Sequence, residues 1–174
     1  MIIQADPFLI RPVSQNDLGA ILEVYRQCED FLALGPVATA SMQMVLKDIE
    51  ISTGENGIFC SILRANGNII GVVDYIPNNY QGDPRAAYLS LLMLAAPYRN
   101  QGFGKIVLEA IEREVKKAAR VSVMFLGVQV NNPQALLFWK RRGYRIVGGP
   151  KLMPDQTTVF EMRKDFSNDL RRQE

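Results

Sequence analysis

Apolar and polar positions along the chain repeat with two spacings, one typical of β-strands and one typical of α-helices. Residues 8–13 form a short apolar run that predicts a first strand, and the polar residues 14–17 have the pattern of a helix cap. Apolar side chains then recur at helical spacing as far as Cys28, which predicts a first helix. Thr39 is placed to cap a second helix, and residues 52–57 predict a loop.

The middle of the chain predicts three neighbouring strands. Residues 58–63 and 69–76 are rich in β-branched side chains, and the Asn-Gly pair between them indicates a tight hairpin. Residues 77–84 are polar and predict a loop. Residues 87–94 are almost entirely apolar, as expected of a strand that is covered on both faces.

The remaining chain predicts two more helices and three more strands. The first of these helices has a single apolar stripe, and the second is short and ends at a glycine. The predicted elements are a helix at 104–119, a strand at 121–130, a helix at 131–143, and strands at 144–148 and 157–166. The charged residues 167–174 are expected to fray.

The order of these elements, β-α-α-β-β-β-α-β-α-β-β, predicts one domain of the α/β (α+β) class over residues 1–174. Hairpins dominate this order. We therefore expect a mixed, mostly antiparallel sheet of six to seven strands, flanked by about four helices. A chain of 174 residues can bury a sizeable core without a disulfide or a metal.

Composition and charge exclude several functions. A formal net charge of +2 does not indicate a nucleic-acid partner. No apolar run is long enough to span a membrane and no signal peptide is visible, so we expect a cytoplasmic protein without a membrane partner. Cys28 and Cys60 lack the spacing of a zinc site and are expected to be buried thiols in a reducing compartment. The chain has no histidine, which excludes every mechanism that needs an imidazole.

The stretch RNQGFGK, residues 99–105, lies between the strand at 87–94 and the following helix. Its two glycines let an anion approach the backbone N–H groups at the positive end of that helix. A P-loop would need Ser or Thr where Ile106 stands, and a dinucleotide fingerprint would need Gly or Ala where Val107 stands. We therefore expect a backbone site for a pyrophosphate, and the alternative is a turn that binds nothing.

Two segments in register resemble the GCN5-related N-acetyltransferase (GNAT) family, and the resemblance covers most of the chain. Residues 91–112 are similar to the family's acetyl-CoA motif, an apolar strand followed by [RQ]-x-x-G-x-[GA] and a helix. Residues 132–144 are similar to its second motif, N-x-x-A-x-x-F-Y-x-x-x-G-F. Trp139 replaces the Tyr of that motif, and Tyr144 replaces its final Phe. The order of the predicted elements is also that of the family.

The resemblance implies that acetyl-CoA is a co-substrate and that no metal takes part. It implies that backbone N–H groups of the glycine turn hold the pyrophosphate. A bulged strand would pair with the pantetheine arm where it splays from the strand at 121–130. Asn132 has a second interpretation as a helix N-cap. The residues assigned to the cofactor are Leu92, Met93, Leu94, Arg99, Asn100, Gln101, Gly102, Phe103, Gly104, Lys105, Asn132, Phe138 and Trp139.

Three residues are expected to take part in the chemistry. The resemblance assigns the stabilisation of the thioester oxyanion to the backbone N–H of Leu94. Trp139 cannot deliver a proton as the family's Tyr does, so Tyr144, Tyr98 or a water is expected to replace it. Asp74 lies in an apolar strand, where burial raises the pKa of a carboxyl, and is the first candidate for the base. The alternative is that Asp74 is a structural strand residue.

The implied function is transfer of an acetyl group from acetyl-CoA to a primary amine by direct attack in a ternary complex. The acceptor is expected to be a small molecule or a protein, and a homodimer is left open. Trp139 favours an alternative, a non-catalytic sensor that binds acetyl-CoA or CoA in the same fold. Candidate contacts to a cationic amine are Glu29, Asp30, Glu50 and Asp83.

Overall fold

The computed structural model describes residues 1–118 and 120–166. The helices are α1 Leu18–Arg26, α2 Glu29–Leu32, α3 Met42–Gly54, α4 Phe103–Lys116 and α5 Pro133–Arg141. The strands are β1 Ile3–Ala5, β2 Phe8–Pro12, β3 Ile58–Arg64, β4 Ile69–Ile76, β5 Ala86–Leu94, β6 Val123–Gln129, β7 Arg145–Leu152 and β8 Thr158–Asp165.

The eight strands of the described residues join one sheet in the order β1-β2-β3-β4-β5-β6-β8-β7. Only the β5–β6 pair in this sheet is parallel, which confirms the mixed, mostly antiparallel prediction. The strand count exceeds the predicted six to seven because Ile3–Ala5 pairs with β2 as a further strand. This strand has three residues, too few for an alternating pattern to reveal it.

Helices cover the sheet on both faces. On the α4 face, Val107 and Ile111 pack with Val73 and other buried sheet residues, and α5 contributes Phe138. On the α3 face, α1 and α3 pack against Val72 and Met93. Val72 and Val73 point to opposite faces because successive side chains of a strand alternate. Each strand in the middle of the sheet therefore supplies residues to two separate cores.

The start of α1 is held to the sheet by a buried carboxylate. Asp17 accepts two hydrogen bonds from Arg11, at 2.6 and 2.9 Å, and one from the N–H of Ser14 at 2.8 Å. The bond from the N–H of Ser14 to the Asp17 side chain is part of the capping box that the sequence pattern predicted, although residues 15–17 form a 3-10 turn. Ser61 of β3 lies 3.3 Å away. Hydrogen bonding from Arg11 is the largest reason why the pKa of Asp17 falls to about 2.

The start and end of α3 differ from the prediction. Ser41, not Thr39, is its N-cap and accepts the N–H of Met44 at 3.1 Å. The helix continues to Gly54, so the first part of the loop predicted at 52–57 was wrong. Ser52 is buried, because its hydroxyl bonds to a strand on the other side of the core. This tertiary contact stabilises helical structure at residues that are otherwise typical of loops.

The other predicted elements are confirmed, with small differences at their ends. The helix predicted at 104–119 ends at Lys116, and Ala119 lies outside the described residues, as does the tail at 167–174. The strand predicted at 144–148 extends to Leu152.

Candidate active site

β5 and β6 part in the middle of the sheet. Their pairing runs from Ala86–Val123 to Leu89–Leu126 and stops there. β5 nevertheless continues to Leu94, and the rest of β6 stays paired with β8 on its other edge. The strands thus leave an opening, which we call the β5–β6 gap. The predicted splay between these strands is confirmed.

β5 carries a β-bulge where the gap begins. Asp74 pairs with Leu91 but Tyr75 pairs with Leu89, so Ser90 is an extra residue in β5. Leu89 consequently packs on the α4 face, and Leu91 packs on the α3 face. The bulge that the resemblance implied is present, and it turns the end of β5 relative to its beginning.

The backbone groups of Leu92 and Leu94 point into the gap. The N–H of Ala95 donates to the carbonyl of Ile70 at 2.8 Å, which continues the pairing of β5 with β4. In an antiparallel pair, alternate residues bond to the same neighbour, so Met93 also directs its backbone groups to β4. The N–H groups of Leu92 and Leu94 therefore face the edge from which β6 has parted. Such an edge can accept an extended amide chain and polarise a carbonyl.

The glycine turn opens α4 as predicted. Gly102 is the N-cap in the left-handed conformation, with a φ of 82°, and Asn100 has a φ of 58°. The N–H of Ile106 bonds to the carbonyl of Gly102 at 3.3 Å and begins the helical pattern. The three N–H groups before it belong to the unsatisfied first turn and point outward. Together with the helix dipole they could bind an anion.

The two glycines of the turn have different roles. A side chain at Gly102 would have open space but would strain the backbone, because φ is positive there. At Gly104 a Cβ would lie 3.5 Å from the ring of Phe138, an ordinary contact distance. Gly102 thus shapes the turn, whereas Gly104 lies where α5 packs against the start of α4.

The second motif packs its aromatic residues in a row. Asn132 caps α5 by accepting the N–H of Ala135 at 3.1 Å, which confirms the N-cap interpretation. The rings of Phe138 and Trp139 meet edge to face at 4.8 Å, and those of Trp139 and Tyr144 at 5.5 Å. The row extends from the glycine turn into the core, so the Trp139 ring packs between two other aromatic rings.

The Tyr144 hydroxyl is held on the α4 face, away from Asp74. It donates to Glu112 at 3.1 Å, and Lys164 contacts both oxygens of that carboxylate at 2.8 and 2.7 Å. Burial is the largest reason why the pKa of Tyr144 lies far above its ordinary value. Asp74 lies across the sheet, where it bonds to α3. The structure therefore does not bring these two candidates together.

The Arg99 side chain reaches the end of β5 and the junction between α1 and α2. Its Nε donates to the carbonyl of Leu94 at 2.9 Å, and Nη2 donates to the carbonyl of Gln27 at 2.6 Å. Nη1 lies 2.7 Å from Asp30. The guanidinium of Arg99 is thus engaged at this junction. The backbone N–H of Arg99 also has a partner, because it donates to the carbonyl of Ala96 at 3.3 Å.

A cavity of about 190 Å³ opens on the α3 face beside the bulge. Apolar and polar groups share its wall, and it lies next to the part of β5 that borders the gap. Its lining residues are Asp48, Ile51, Phe59, Asp74, Ser90 and Leu91. A cavity of this kind suits a molecule with an alkyl part and a polar head.

Two carboxyl groups of this cavity have raised pKa values. Asp74 is only 6% exposed, and burial is the main reason why its pKa lies above the ordinary value. The hydroxyl of Ser52, 2.6 Å from Asp74, opposes part of this rise. Burial also raises the pKa of Asp48, which accepts the Tyr25 hydroxyl at 2.7 Å. A carboxylate with a raised pKa is a better general base.

Three of the acids suggested as contacts to an amine have other partners. Glu29 accepts the N–H of Ala40 at 2.9 Å, Asp30 pairs with Arg99, and Asp83 pairs with Arg85 at 3.2 Å. The fourth, Glu50, is exposed on α3. The acids at the cavity are Asp48 and Asp74. Asp48 was missed, although it lies four residues before Ser52 on one side of a helix.

The acidic and thiol side chains of the described residues are not grouped as metal ligands. Within residues 1–118 and 120–166, no group of three or more Cys, Asp or Glu side chains is placed to hold a metal ion. No helix in these ranges is long and apolar enough to cross a membrane. Cys28 and Cys60 are buried and unpaired, as predicted.

Comparison with known proteins agrees with this geometry. Residues 20–144 match the sequence model of the acetyltransferase (GNAT) family. A relative described as probable N-acetyltransferase san, from Drosophila melanogaster, is 31% identical over 93 residues, 53% of this chain and 50% of that protein. The chain spans about half the length of the curated relatives it matches.

Solved structures share the fold. An acetyltransferase from Thermus thermophilus has a TM-score of 0.75 and 21% identity, over 95% of this chain and 100% of that one. A spermidine N-acetyltransferase from Vibrio cholerae, in complex with CoA and spermine, has a TM-score of 0.71 and 17% identity, over 92% and 96%. Because the family match spans more than half of the sequence, this chain belongs to the acetyltransferase (GNAT) family.

Proposed function

We propose that the protein transfers an acetyl group from acetyl-CoA to a primary amine. The observation that carries the proposal is the position of the β5–β6 gap between an anion site and a carboxylate cavity. The N–H groups of Leu92 and Leu94 face the gap. The glycine turn follows on the same chain, and Asp74 pairs with β5 at the bulge.

The residues present fit acetyl-CoA. Backbone N–H groups of the turn and of the first residues of α4, from Asn100 to Lys105, would hold the pyrophosphate without a cationic side chain. Leu92 and Leu94 would pair with the pantetheine arm as a neighbouring strand does. Met93, which the resemblance also assigned to the cofactor, directs its backbone groups to β4 and is left out of this pairing. Asn132, Phe138 and Trp139 would line the other side. Acetyl-CoA would supply the activated acetyl group, and the chain would supply its orientation.

The chemistry requires a base and an oxyanion donor. Asp74 would take a proton from the ammonium of the acceptor, directly or through a water, so that the free amine can attack the thioester carbonyl. The N–H of Leu94 would stabilise the oxyanion, and one such donor contributes about 3–4 kcal/mol in enzymes where it has been removed. The carbon–sulfur bond then breaks, the coenzyme leaves as a thiolate, and the nitrogen of the new amide releases its remaining extra proton to water in the gap.

The leaving thiolate needs little help from a protein acid. A thiol with a pKa of about 8.5 leaves readily as its anion near neutral pH. Tyr144 was predicted as a substitute acid, but the proposed mechanism omits it, because its proton already bonds to Glu112 on the α4 face. Water that reaches the gap would protonate the thiolate. Trp139 would line the cofactor site and would not donate a proton.

The cavity supports an alkylamine as the acceptor. Ile51, Phe59 and Leu91 offer an apolar wall, while Asp74 and Asp48 offer negative charge to an ammonium. The fold is shared with a spermidine N-acetyltransferase of known structure. A small amine or an amine on a protein fits equally, and neither nucleic acid nor a membrane is a proposed partner.

The remaining sequence-based predictions are kept as part of the proposal. Residues 1–174 are taken as one acetyltransferase domain, which the single sheet supports. A cytoplasmic location is supported by two buried, unpaired thiols. A homodimer stays a prediction.

The proposal is tested by thiol release from acetyl-CoA with a panel of amines, together with mass spectrometry of the products. The panel contains alkyl monoamines, linear polyamines and short peptides with free amino termini. Amine-dependent release and an acetylated product are expected. CoA binding without acetylation of any amine would instead support the non-catalytic sensor.

A further inference from the structure

We propose that Arg99 is a positioning residue, which ties the acceptor side of the site to Leu94 rather than holding the cofactor with its side chain. This inference rests on the proposed function, because it assigns a role to the end of β5 that borders the gap. The resemblance placed Arg99 among the cofactor-binding residues for its backbone N–H, which bonds to the carbonyl of Ala96 here, and it assigned no role to the side chain.

The contacts of the guanidinium carry the proposal. Two of its three partners are backbone carbonyls, those of Leu94 and Gln27, and the third is Asp30. Leu94 ends β5, Gln27 caps the end of α1, and Asp30 belongs to α2. A planar fork that reaches three groups on three elements fixes their relative positions better than a flexible ammonium could.

The Leu94 carbonyl has a second donor from the same region. The Sγ of Cys28 lies 3.3 Å from it. Burial raises the pKa of Cys28 and so keeps the thiol protonated, as a donor must be. The carbonyl and the N–H of Leu94 both point away from β4, so donors that hold the carbonyl also restrain the N–H assigned to the oxyanion.

Residues 27–35, which we call the bridge segment, run from the end of β5 to the end of β6. At the β5 end, the segment is held by Arg99. At the β6 end, the amide of Asn131 donates to the carbonyl of Leu34 at 3.3 Å. Gly35 lies near Thr157, since a Cβ added at Gly35 would be 3.6 Å from the Thr157 side chain.

The bridge segment therefore connects the two strands that part to form the gap. It lies on the α3 face, because Cys28, Phe31 and Leu32 pack with Met93 there. An acceptor that reaches the gap from this face passes beside the segment. Arg99 would thus set the position of the acceptor relative to the thioester, while the pyrophosphate rests on backbone groups that its side chain does not touch.

The two kinds of contact that Arg99 makes are of unequal weight. Asp30 is 69% exposed, and an ion pair with such a group is screened by water. The contacts to the carbonyls of Leu94 and Gln27 are partly buried, and a hydrogen bond from a charged donor is stronger than one between neutral groups. Asp30→Asn is therefore a matched control, since it removes the charge pair and keeps both carbonyl bonds.

The test compares Arg99→Ala, Arg99→Lys and Asp30→Asn with the wild type in the full chain. Calorimetry gives the Kd of CoA, and steady-state kinetics gives kcat and the KM of the amine. We expect Arg99→Ala to lower kcat/KM for the amine about 10- to 100-fold through misplacement of the reacting groups. We expect its Kd for CoA to stay within about threefold of wild type. The kcat/KM of Arg99→Lys should lie between that of Arg99→Ala and that of the wild type. The kcat/KM of Asp30→Asn should resemble that of the wild type.

Added guanidinium provides a readout that a loss of folding would not give. It should restore part of the kcat of Arg99→Ala and none of that of an Asp74→Asn variant. An Arg99→Ala protein whose CoA binding weakens as much as its kcat/KM would overturn the proposal, since the side chain would then hold the cofactor. Unchanged kinetics in a folded Arg99→Ala protein would overturn it as well.

Amide hydrogen exchange separates this inference from the proposed function. Arg99→Ala should accelerate exchange in the bridge segment and leave residues 100–105 unchanged. A wild type that acetylates no amine would contradict the proposed function alone. Unaltered exchange in the bridge segment of Arg99→Ala would contradict the positioning role, whatever the activity.

Discussion

The glycine turn follows the end of β5, and the cavity that contains Asp48 and Asp74 lies beside the bulge of the same strand, but the two sites are built from different groups. The turn offers backbone N–H groups from consecutive residues. The cavity offers side chains from α3, β3, β4 and β5. A backbone site depends on local conformation, which a short sequence pattern can specify. A side-chain site depends on how distant elements pack, and one sequence specifies this far less directly.

The largest effect on cofactor binding is expected from a change to the backbone site. Gly102→Val should weaken CoA binding about 100-fold, because a β-branched residue is strained at a φ of 82° and its side chain would cover the anion site. Calorimetric titration with CoA measures this.

Gly104→Ala is the matched control for the turn. Its Cβ would lie at an ordinary contact distance from Phe138, so we expect a change of less than about threefold. Equal losses for the two variants would show that the conformation of Gly102 is not what the site requires.

A change to the side-chain site should act on the rate and spare the cofactor. Asp74→Asn should lower kcat about 10²- to 10⁴-fold, the usual range for loss of a general base, with the Kd of CoA unaltered. Because burial raises the pKa of Asp74, the wild-type rate should fall as the pH drops through that raised value, and the variant should lack this fall. A variant that keeps the wild-type rate would place the base elsewhere.

The same substitution should stabilise the protein. A carboxyl with a raised pKa binds its proton more tightly in the folded state, so its contribution to stability is lost as the pH rises through the folded value. The Tm of Asp74→Asn should therefore exceed that of wild type above this pH, by a margin that vanishes in acid. Thermal unfolding of wild type and variant at several pH values measures this, and a margin that stays constant in acid would contradict it.

Asp17 should show the opposite dependence. Asp17→Asn should lower the free energy of unfolding by about 1–3 kcal/mol, because Arg11 and Ser14 lose a charged acceptor. The pKa of Asp17 is lowered to about 2, so this contribution is present above its ordinary pKa and lost as the pH falls through 2. Urea unfolding of wild type and variant should give a difference at pH 7 that shrinks in acid. CoA binding should not change.

The smallest effect is expected at Trp139. Trp139→Phe should change kcat by less than about threefold, since the indole packs between Phe138 and Tyr144 and is not a proton donor in the proposed mechanism. A large loss of kcat with normal CoA binding would assign the indole N–H to the reaction.

The sequence predicted the strands β2 to β8, the turn and its helix, because alternation and glycine spacing are local signals. It did not predict β1, which is too short to alternate. It predicted a loop at Ser52 and therefore did not predict the contact between Ser52 and Asp74. That part of α3 is helical because it packs against the sheet, which a local pattern does not show. It also could not show that Arg99 and Asp30, far apart in the chain, form an ion pair.

The central claim is that acetyl-CoA lies in the β5–β6 gap with its pyrophosphate on the glycine turn. The most direct test is a ¹⁵N NMR titration of the wild type with CoA, with assigned amides. The account predicts the largest shifts at Leu92, Leu94 and residues 100–105, and none in β1, on the far edge of the sheet. Shifts of similar size across the chain, or confined to other elements, would contradict it.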